Sequence, residues 1–240
     1  MSYYQYLPEF LYKEEADFLY EKLLYEIPWR QVKYYKPERG LVTTPRLTWV
    51  AGFHQDDFYP LSLPQKIFPN KIPTFLNELK DLVESQTSKS FNYILFSLYR
   101  DGDDSISPHS DDEKFLGPDP TIVSLTVGQQ RDFVLTNKNT REKETFKLSH
   151  GDLFIMQNNC QKDYLHSVPK TKDMLKPRIS LTFAPRLLAS LANSIFVLIP
   201  SVIQAMMASR TVSSSLACSA ILMADVSVSS TRLTDSRSLK

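Results

Sequence analysis

The residues best placed to do chemistry lie in the run Ser107-Pro108-His109-Ser110-Asp111-Asp112-Glu113. His109 and Asp111 are two residues apart, so in an extended segment their side chains leave the same face. Two ligands of one metal ion need that placement. The chain has only 4 histidines. Among them His166, in Tyr164-Leu165-His166-Ser167-Val168-Pro169 at the end of a strand-like stretch, is the best candidate for a third ligand from a distant strand. Two imidazoles and one carboxylate on one face of an octahedron leave three positions open. Non-haem Fe(II) oxygenases use that ligand set, with the open positions taken by a bidentate co-substrate and O2. Alone, an H-x-D pair is more often a solvated turn.

What raises the signal is Arg178, twelve residues beyond His166 in Pro177-Arg178-Ile179-Ser180-Leu181-Thr182-Phe183. An arginine inside an alternating apolar strand is costly unless its guanidinium is paired, and its planar fork suits a carboxylate. A dicarboxylate that chelates iron at one end would offer its other end to Arg178. Tyr99, in Phe96-Ser97-Leu98-Tyr99-Arg100, could donate its hydroxyl to the same molecule, or pack in the core. A zinc hydrolase with the same ligands is less favoured, because no general base is paired with them.

The elements that must position these residues are legible in outline. Lys13 to Ile27 reads as an amphipathic helix with Phe18, Leu19, Leu23 and Ile27 on its apolar side, ended by Pro28. A second helix is expected over Ile72 to Gln86, with Phe75, Leu76, Leu79, Leu82 and Val83 on one stripe. Strands are expected at Phe91–Arg100, Thr121–Val127, Asp132–Leu135, Glu144–Leu148, Asp152–Met156 and Arg178–Phe183. Gly102, Gly117, Gly128 and Gly151 punctuate them as turns. Helices first and short strands later give an α+β fold whose β part is a sandwich or jelly roll. His54 and His150 show no partner pattern and read as surface residues.

Composition bounds the rest. The apolar fraction of 42% and charged fraction of 23% are ordinary for a globular protein. A net charge of +1 gives no global field, so any polyanion must be held by a local patch. Cys160 and Cys218 make no disulfide framework and suit a reducing, intracellular compartment. No signal peptide is expected from the first residues. All 12 tyrosines fall at or before Tyr164, no glutamate follows Glu144, and beyond Arg186 the chain is rich in Ser, Ala, Val and Leu. The expected division is a domain at 1–186 and an unrelated low-complexity tail at 187–240. Leu187 to Ala208 is an uncharged stretch of 22 residues, long enough to span a bilayer. Its Asn193, Pro200 and Gln204 keep the hydropathy middling, and a membrane anchor is not the favoured reading.

Several spaced motifs together resemble the AlkB-type dioxygenases. They are Phe91-Asn92-Tyr93, Leu98-Tyr99-Arg100-Asp101-Gly102, Asp104-Ser105-Ile106, His109-Ser110-Asp111-Asp112-Glu113, Gly151-Asp152-Leu153, His166-Ser167-Val168-Pro169 and Pro177-Arg178 with Leu181-Thr182-Phe183. Thr44-Pro45-Arg46-Leu47-Thr48 with Gly52 resembles the family's substrate lid. The resemblance runs over roughly residues 5–183. It implies a double-stranded β-helix core with N-terminal helices and a lid, and Fe(II) held by His109, Asp111 and His166. It also implies 2-oxoglutarate and O2 as co-substrates, and oxidative removal of alkyl groups from base nitrogens. Asp112 matches the family's acidic residue that faces the flipped base, though a solvated acid in a turn is nearly as natural. Two departures stand out. Ala184 occupies the place of a second family arginine, for which Arg186 could substitute only if the strand end bulges. Ser97 stands where relatives often have asparagine.

A base inside a duplex must be flipped out or met in a single strand, and either task needs phosphate contacts and aromatic surfaces. The segment 29–39 interleaves basic and aromatic residues, and Arg30, Lys33, Tyr34, Tyr35, Lys36 and Arg39, followed by Arg46, are the candidate substrate contacts. An edge strand with solvated charges is the competing reading. Trp49 and Phe53 could stack on a base or pack in the core. Nucleic acid is the expected partner, and a monomer in the nucleus the expected state. The alternatives are a dioxygenase acting on a protein or small molecule, and a catalytically weak or inactive binding module of the same fold.

Overall fold

The structure, a computed structural model, describes residues 2–36, 40–52, 69–173 and 176–185. Among the described residues, eleven strands and three short or medium α-helices follow one another in chain order. They are β1 (Tyr4–Leu7), α1 (Lys13–Glu26), β2 (Arg30–Lys36), β3 (Gly40–Gly52), α2 (Asn77–Thr87), β4 (Tyr93–Tyr99), β5 (Ile106–His109), β6 (Ile122–Gly128), β7 (Arg131–Asn137), β8 (Lys143–Leu148), β9 (Leu153–Met156), α3 (Cys160–Asp163), β10 (Tyr164–Val168) and β11 (Arg178–Ala184). A seven-stranded sheet has the order β1-β9-β6-β11-β4-β3-β2, and a four-stranded sheet the order β5-β10-β7-β8. The crossing connections between two antiparallel sheets make a double-stranded β-helix, or jelly roll.

Strand alternation sorts the side chains of the large sheet. On β11, Ile179, Leu181 and Phe183 enter a core shared with α1 and α2, while Arg178, Ser180 and Thr182 line a pocket on the other face. On β4, Ile94, Phe96 and Leu98 take the helix side, and Leu95, Ser97 and Tyr99 the pocket side. A second core of Phe133, Leu135, Leu148, Phe154, Met156 and Val168 fills the space between the sheets. With both faces covered, the central strands are buried along almost their whole length.

The helices differ from the sequence expectation in their facing. In α1 the buried stripe is Ala16, Leu19 and Leu23, and Phe18 is 57% exposed because it lies one residue round the helix from Leu19. The second helix begins later than expected, as one 3-10 turn at Thr74–Leu76 followed by α2, and Leu82 is exposed. The basic segment after α1 is strand: β2 and β3 pair antiparallel and extend the large sheet.

Two glycines are required by close approach. A Cβ on Gly102 would lie 2.5 Å from the Thr171 carbonyl oxygen. Gly128 turns from β6 to β7 at φ +90, and a Cβ there would lie 2.5 Å from the Pro177 oxygen just before β11. His150, expected on the surface, instead joins elements. It accepts the Gly128 N–H at Nδ1 (2.8 Å), which leaves Nε2–H to donate to Asp17 of α1 (3.1 Å). Among the described residues no helix is long and apolar enough to cross a membrane. Arg39, Phe53, His54, Arg186, Cys218 and the stretch Leu187 to Ala208 lie outside the described residues.

Candidate active site

The small sheet brings the two histidines together by register. β5 and β10 are antiparallel neighbours in which His109 and His166 are directly opposed, and their rings stand 4.2 Å apart. Asp111 follows β5 in a short loop, so its position depends on anchors other than the strand. Its backbone N–H donates to Oε1 of the buried Gln161 (2.9 Å), and the neighbouring Ser110 hydroxyl donates to the Tyr164 carbonyl (2.9 Å). The Asp111 carboxylate then lies 3.6 Å from His109 Nε2 and 3.5 Å from His166 Nε2.

Donor chemistry fits a divalent metal. One ligand atom from each of His109, Asp111 and His166 lies within 4.8 Å of the others. His109 Nδ1 is 2.9 Å from the Ser107 carbonyl, which can only accept, so Nδ1 carries the proton and Nε2 keeps its lone pair. Burial, with His109 adding to it, pushes the His166 pKa down to about 3, which holds this imidazole in the neutral form that binds metal. Phe133 lies near-parallel to the His166 ring at 5.7 Å and limits its rotation.

Arg178 faces the same pocket and is 1% exposed. Its Nη2 donates to Thr126 Oγ1 (2.9 Å), but Nε and Nη1 have no hydrogen-bond partner. Burial holds the guanidinium below its usual range, Tyr99 opposes that shift, and Arg131 adds to it. Arginine stays protonated even so. A buried cation with two orphaned donor nitrogens is expensive alone and is completed by an anion with two acceptor oxygens. Tyr99 lies beneath it, with the guanidinium carbon 5.1 Å from the ring centre. The pocket is partly open to solvent, and Arg178, Tyr99 and Ser180 line it together with His109, Asp111 and His166.

The remaining candidates are dispersed. Arg46 lines the pocket, and its Nε donates to Ser97 Oγ at 3.3 Å. Arg30 pairs with Thr48, which pairs with the pocket residue Ser97, so Arg30 shares the pocket face. Lys33 and Tyr35 are exposed and opposed to Thr43 and Leu41 on the other face of the hairpin. Tyr34 and Lys36 pair through their backbones with Val42 and Gly40. Of the candidates whose side chains are described, Arg30 and Arg46 thus share one face of the hairpin and Lys33 and Tyr35 the other. Asp112 is exposed and does not line the pocket. Its neighbour Glu113 is half-buried, and burial followed by Asp111 raises its pKa to about 7. Trp49 packs edge-on against Phe96 at 4.9 Å on the helix side, so it is a core residue. Ala184 is 3% exposed between the sheets.

Sequence reasoning missed the supports. Gln161 and Thr126 position Asp111 and Arg178, and neither residue type signals that role without the fold. Arg131 is buried, and its guanidinium donates to the carbonyls of Asp101 (2.9 Å), Asp104 (3.1 Å) and Pro169 (2.7 Å). It thereby ties the approach to β5 to the exit from β10. Arg100 forks onto Asp104 through Nε (2.8 Å) and Nη2 (2.9 Å), and Asp152 accepts from Tyr6, Glu9 and Ser149. These motif residues are structural.

Comparison with known proteins settles the family. Residues 4–183 match the model of the 2OG-Fe(II) oxygenase superfamily. The chain belongs to that superfamily. Its cofactor set follows: Fe(II), with 2-oxoglutarate and O2 as co-substrates. Within the superfamily the chain is similar to the AlkB-like proteins. It is 34% identical over 185 residues to the Mus musculus alpha-ketoglutarate-dependent dioxygenase alkB homolog 3, covering 73% of this chain and 63% of that one. It is 37% identical over 121 residues to the Homo sapiens DNA oxidative demethylase ALKBH2, covering 47% and 46%. The chain thus spans less than two thirds of the length of these relatives. Among solved structures, that of OsALKBH1 aligns with a TM-score of 0.57 at 16% identity, over 78% of this chain and 98% of the other. A Trichoplax adhaerens prolyl hydroxylase aligns with a TM-score of 0.52 at 12% identity, over 77% and 83%. Both share the superfamily fold.

Proposed function

We propose that this chain is an oxidative demethylase that removes alkyl groups from the nitrogen atoms of nucleic-acid bases. The observation that carries the reading is the single pocket in which His109, Asp111 and His166 converge and Arg178 presents two unpaired donor nitrogens. The names of the relatives, a dioxygenase and a DNA oxidative demethylase, supply the reaction and the substrate class.

His109, Asp111 and His166 would hold Fe(II). With 2-oxoglutarate and O2, that ion supplies an oxidation that hydroxylates an N-alkyl carbon, after which an N-methyl group leaves as formaldehyde and the co-substrate as succinate and CO2. The chain's own residues do the positioning. Arg178 fixes the distal carboxylate of the dicarboxylate, and Tyr99 bounds it from below. Leu95, Ile106, Phe133, Met156 and Val168 line the pocket with apolar surface that excludes water. Asp112, exposed beside Asp111, would accept a hydrogen bond from a base amino group at the rim. Arg30 and Arg46 on the pocket face would contact the substrate beside the pocket, while Lys33 and Tyr35 would meet a strand that wraps the hairpin. The reading includes a monomer acting in the nucleus, and a catalytic domain ending at residue 186.

Anaerobic titration with Fe(II) and 2-oxoglutarate, followed by succinate release with methylated oligonucleotides, tests the proposal. Stimulation by methylated but not unmethylated oligonucleotide is expected. Co-substrate binding without stimulation would favour a protein or small-molecule substrate, and absence of both would favour a binding module.

A further inference from the structure

Among the described residues, two cationic side chains, Arg178 and Arg46, line the pocket in which His109, Asp111 and His166 converge. Arg131 is close to Tyr99 but already donates to three carbonyls. Arg178 and Arg46 come from β11 and β3, the strands on either side of β4. Arg178 is opposed to Tyr99. Arg46 directly precedes Leu47, which is opposed to Leu98, and so stands along the other side of Tyr99. Its Nε is steered by the Ser97 hydroxyl, and among the described residues its two Nη groups have no partner.

Among the described residues, the pocket around Arg46 contains hydroxyls and no carboxylate besides Asp111. Ser97 is opposed to Ser180, and Ser180 Oγ lies 2.9 Å from Ser124 Oγ in a buried pair. Asp111, the carboxylate among the described lining residues, is committed to the two histidines. A dicarboxylate buried here carries charge at both ends, and each end needs charged or hydrogen-bonded partners. Arg178 serves one end. Ala184, packed between the sheets, brings no charge.

We propose that Arg46, steered by Ser97, is the second co-substrate-binding guanidinium and holds the 2-oxo-acid end of 2-oxoglutarate while Arg178 holds the distal carboxylate. This rests on the assignment of 2-oxoglutarate to the pocket, and it moves Arg46 from substrate to co-substrate. Ser97 then has a role of its own, since its hydroxyl accepts from Nε and leaves the outer N–H groups of the fork directed at the ligand.

The test uses the full chain loaded with Mn(II) and titrated with 2-oxoglutarate, with pyruvate as a competitor that keeps the 2-oxo-acid end and lacks the distal carboxylate. Arg46→Gln should weaken 2-oxoglutarate by on the order of ten- to hundredfold and weaken pyruvate similarly. Arg178→Gln should weaken 2-oxoglutarate and leave pyruvate unchanged. Mn(II) affinity should stay at the parent value in both, and Arg46→Lys, which keeps charge but loses the fork, should fall between. If Arg46→Gln does not fold, Ser97→Ala reads the same contact as a smaller loss of 2-oxoglutarate affinity. Parent-like 2-oxoglutarate binding by the Arg46 variant, or a loss confined to oligonucleotide binding, would overturn the inference while leaving the proposed function standing. Failure of the parent chain to bind 2-oxoglutarate would remove both.

Discussion

At the residue scale the site is a set of side chains whose cost is explained only by what they bind. Arg178 is buried with two unmatched donor nitrogens, and His166 is buried next to a second imidazole and a carboxylate. Such arrangements are retained for ligands, since leaving a buried donor unmatched costs about 1–3 kcal/mol. His109→Ala, Asp111→Ala and His166→Ala should each abolish tight Fe(II) or Mn(II) binding, because each removes one of three protein ligands. Equilibrium dialysis of the three variants checks this, and parent-like affinity in all of them would refute the ligand set. These residues were legible in the sequence because histidine is scarce here and because an arginine in an apolar strand demands a partner. Arg46 was legible only as a basic residue near a possible lid. Its place in the pocket depends on the register of β3 against β4, which no local pattern encodes.

At the element scale the two strands that carry His109 and His166 are held by an arginine outside the lining of their pocket. Arg131, at the start of β7, joins the residues leading into β5 to the residue after β10. Arg131→Met should lower stability by on the order of 3 kcal/mol, since three carbonyls lose a charged donor. It should also loosen metal binding, because the β5–β10 register sets the distance between the histidines. Urea unfolding and Mn(II) titration on one variant read both effects, and a stability loss without any metal effect would show that the register is fixed elsewhere. The β2–β3 hairpin was the least legible part. A basic and aromatic run looks like one surface in sequence, yet strand alternation sets Arg30 apart from Lys33 and Tyr35, and the helical turn sets Phe18 apart from Leu19 on α1. Arg30→Glu should therefore weaken oligonucleotide binding and reduce the slope of log K against log salt by about one unit, whereas Lys33→Glu, on the far face, should do less. Equal effects would mean that nucleic acid wraps both faces.

At the scale of the whole molecule, the jelly roll explains why chemistry and stability are separable. The large sheet turns one face to α1 and α2, where its branched and aromatic residues form a core. Its other face opens on the pocket, where serines, threonines and two arginines interrupt the apolar pattern. The sequence carried the fold class because this alternation is strong in β4, β6 and β11. It could not carry the pairing order, which follows from crossovers between distant strands. The elements that build the site end with β11 at Ala184, and the family match ends at residue 183, close to where composition changes. If the catalytic domain is complete by that point, a chain ending at residue 185 should unfold at the same temperature as the full chain. It should also bind Mn(II) and 2-oxoglutarate with the same affinity. A fall in any of these would show that residues 186–240 complete the fold or the site. Detergent phase partition of the full chain addresses the uncharged stretch Leu187 to Ala208 separately. Recovery in the aqueous phase would dismiss the anchor. Partition of the full chain, but not of the shortened one, into the detergent phase would assign those residues a membrane role while leaving the catalytic domain as proposed.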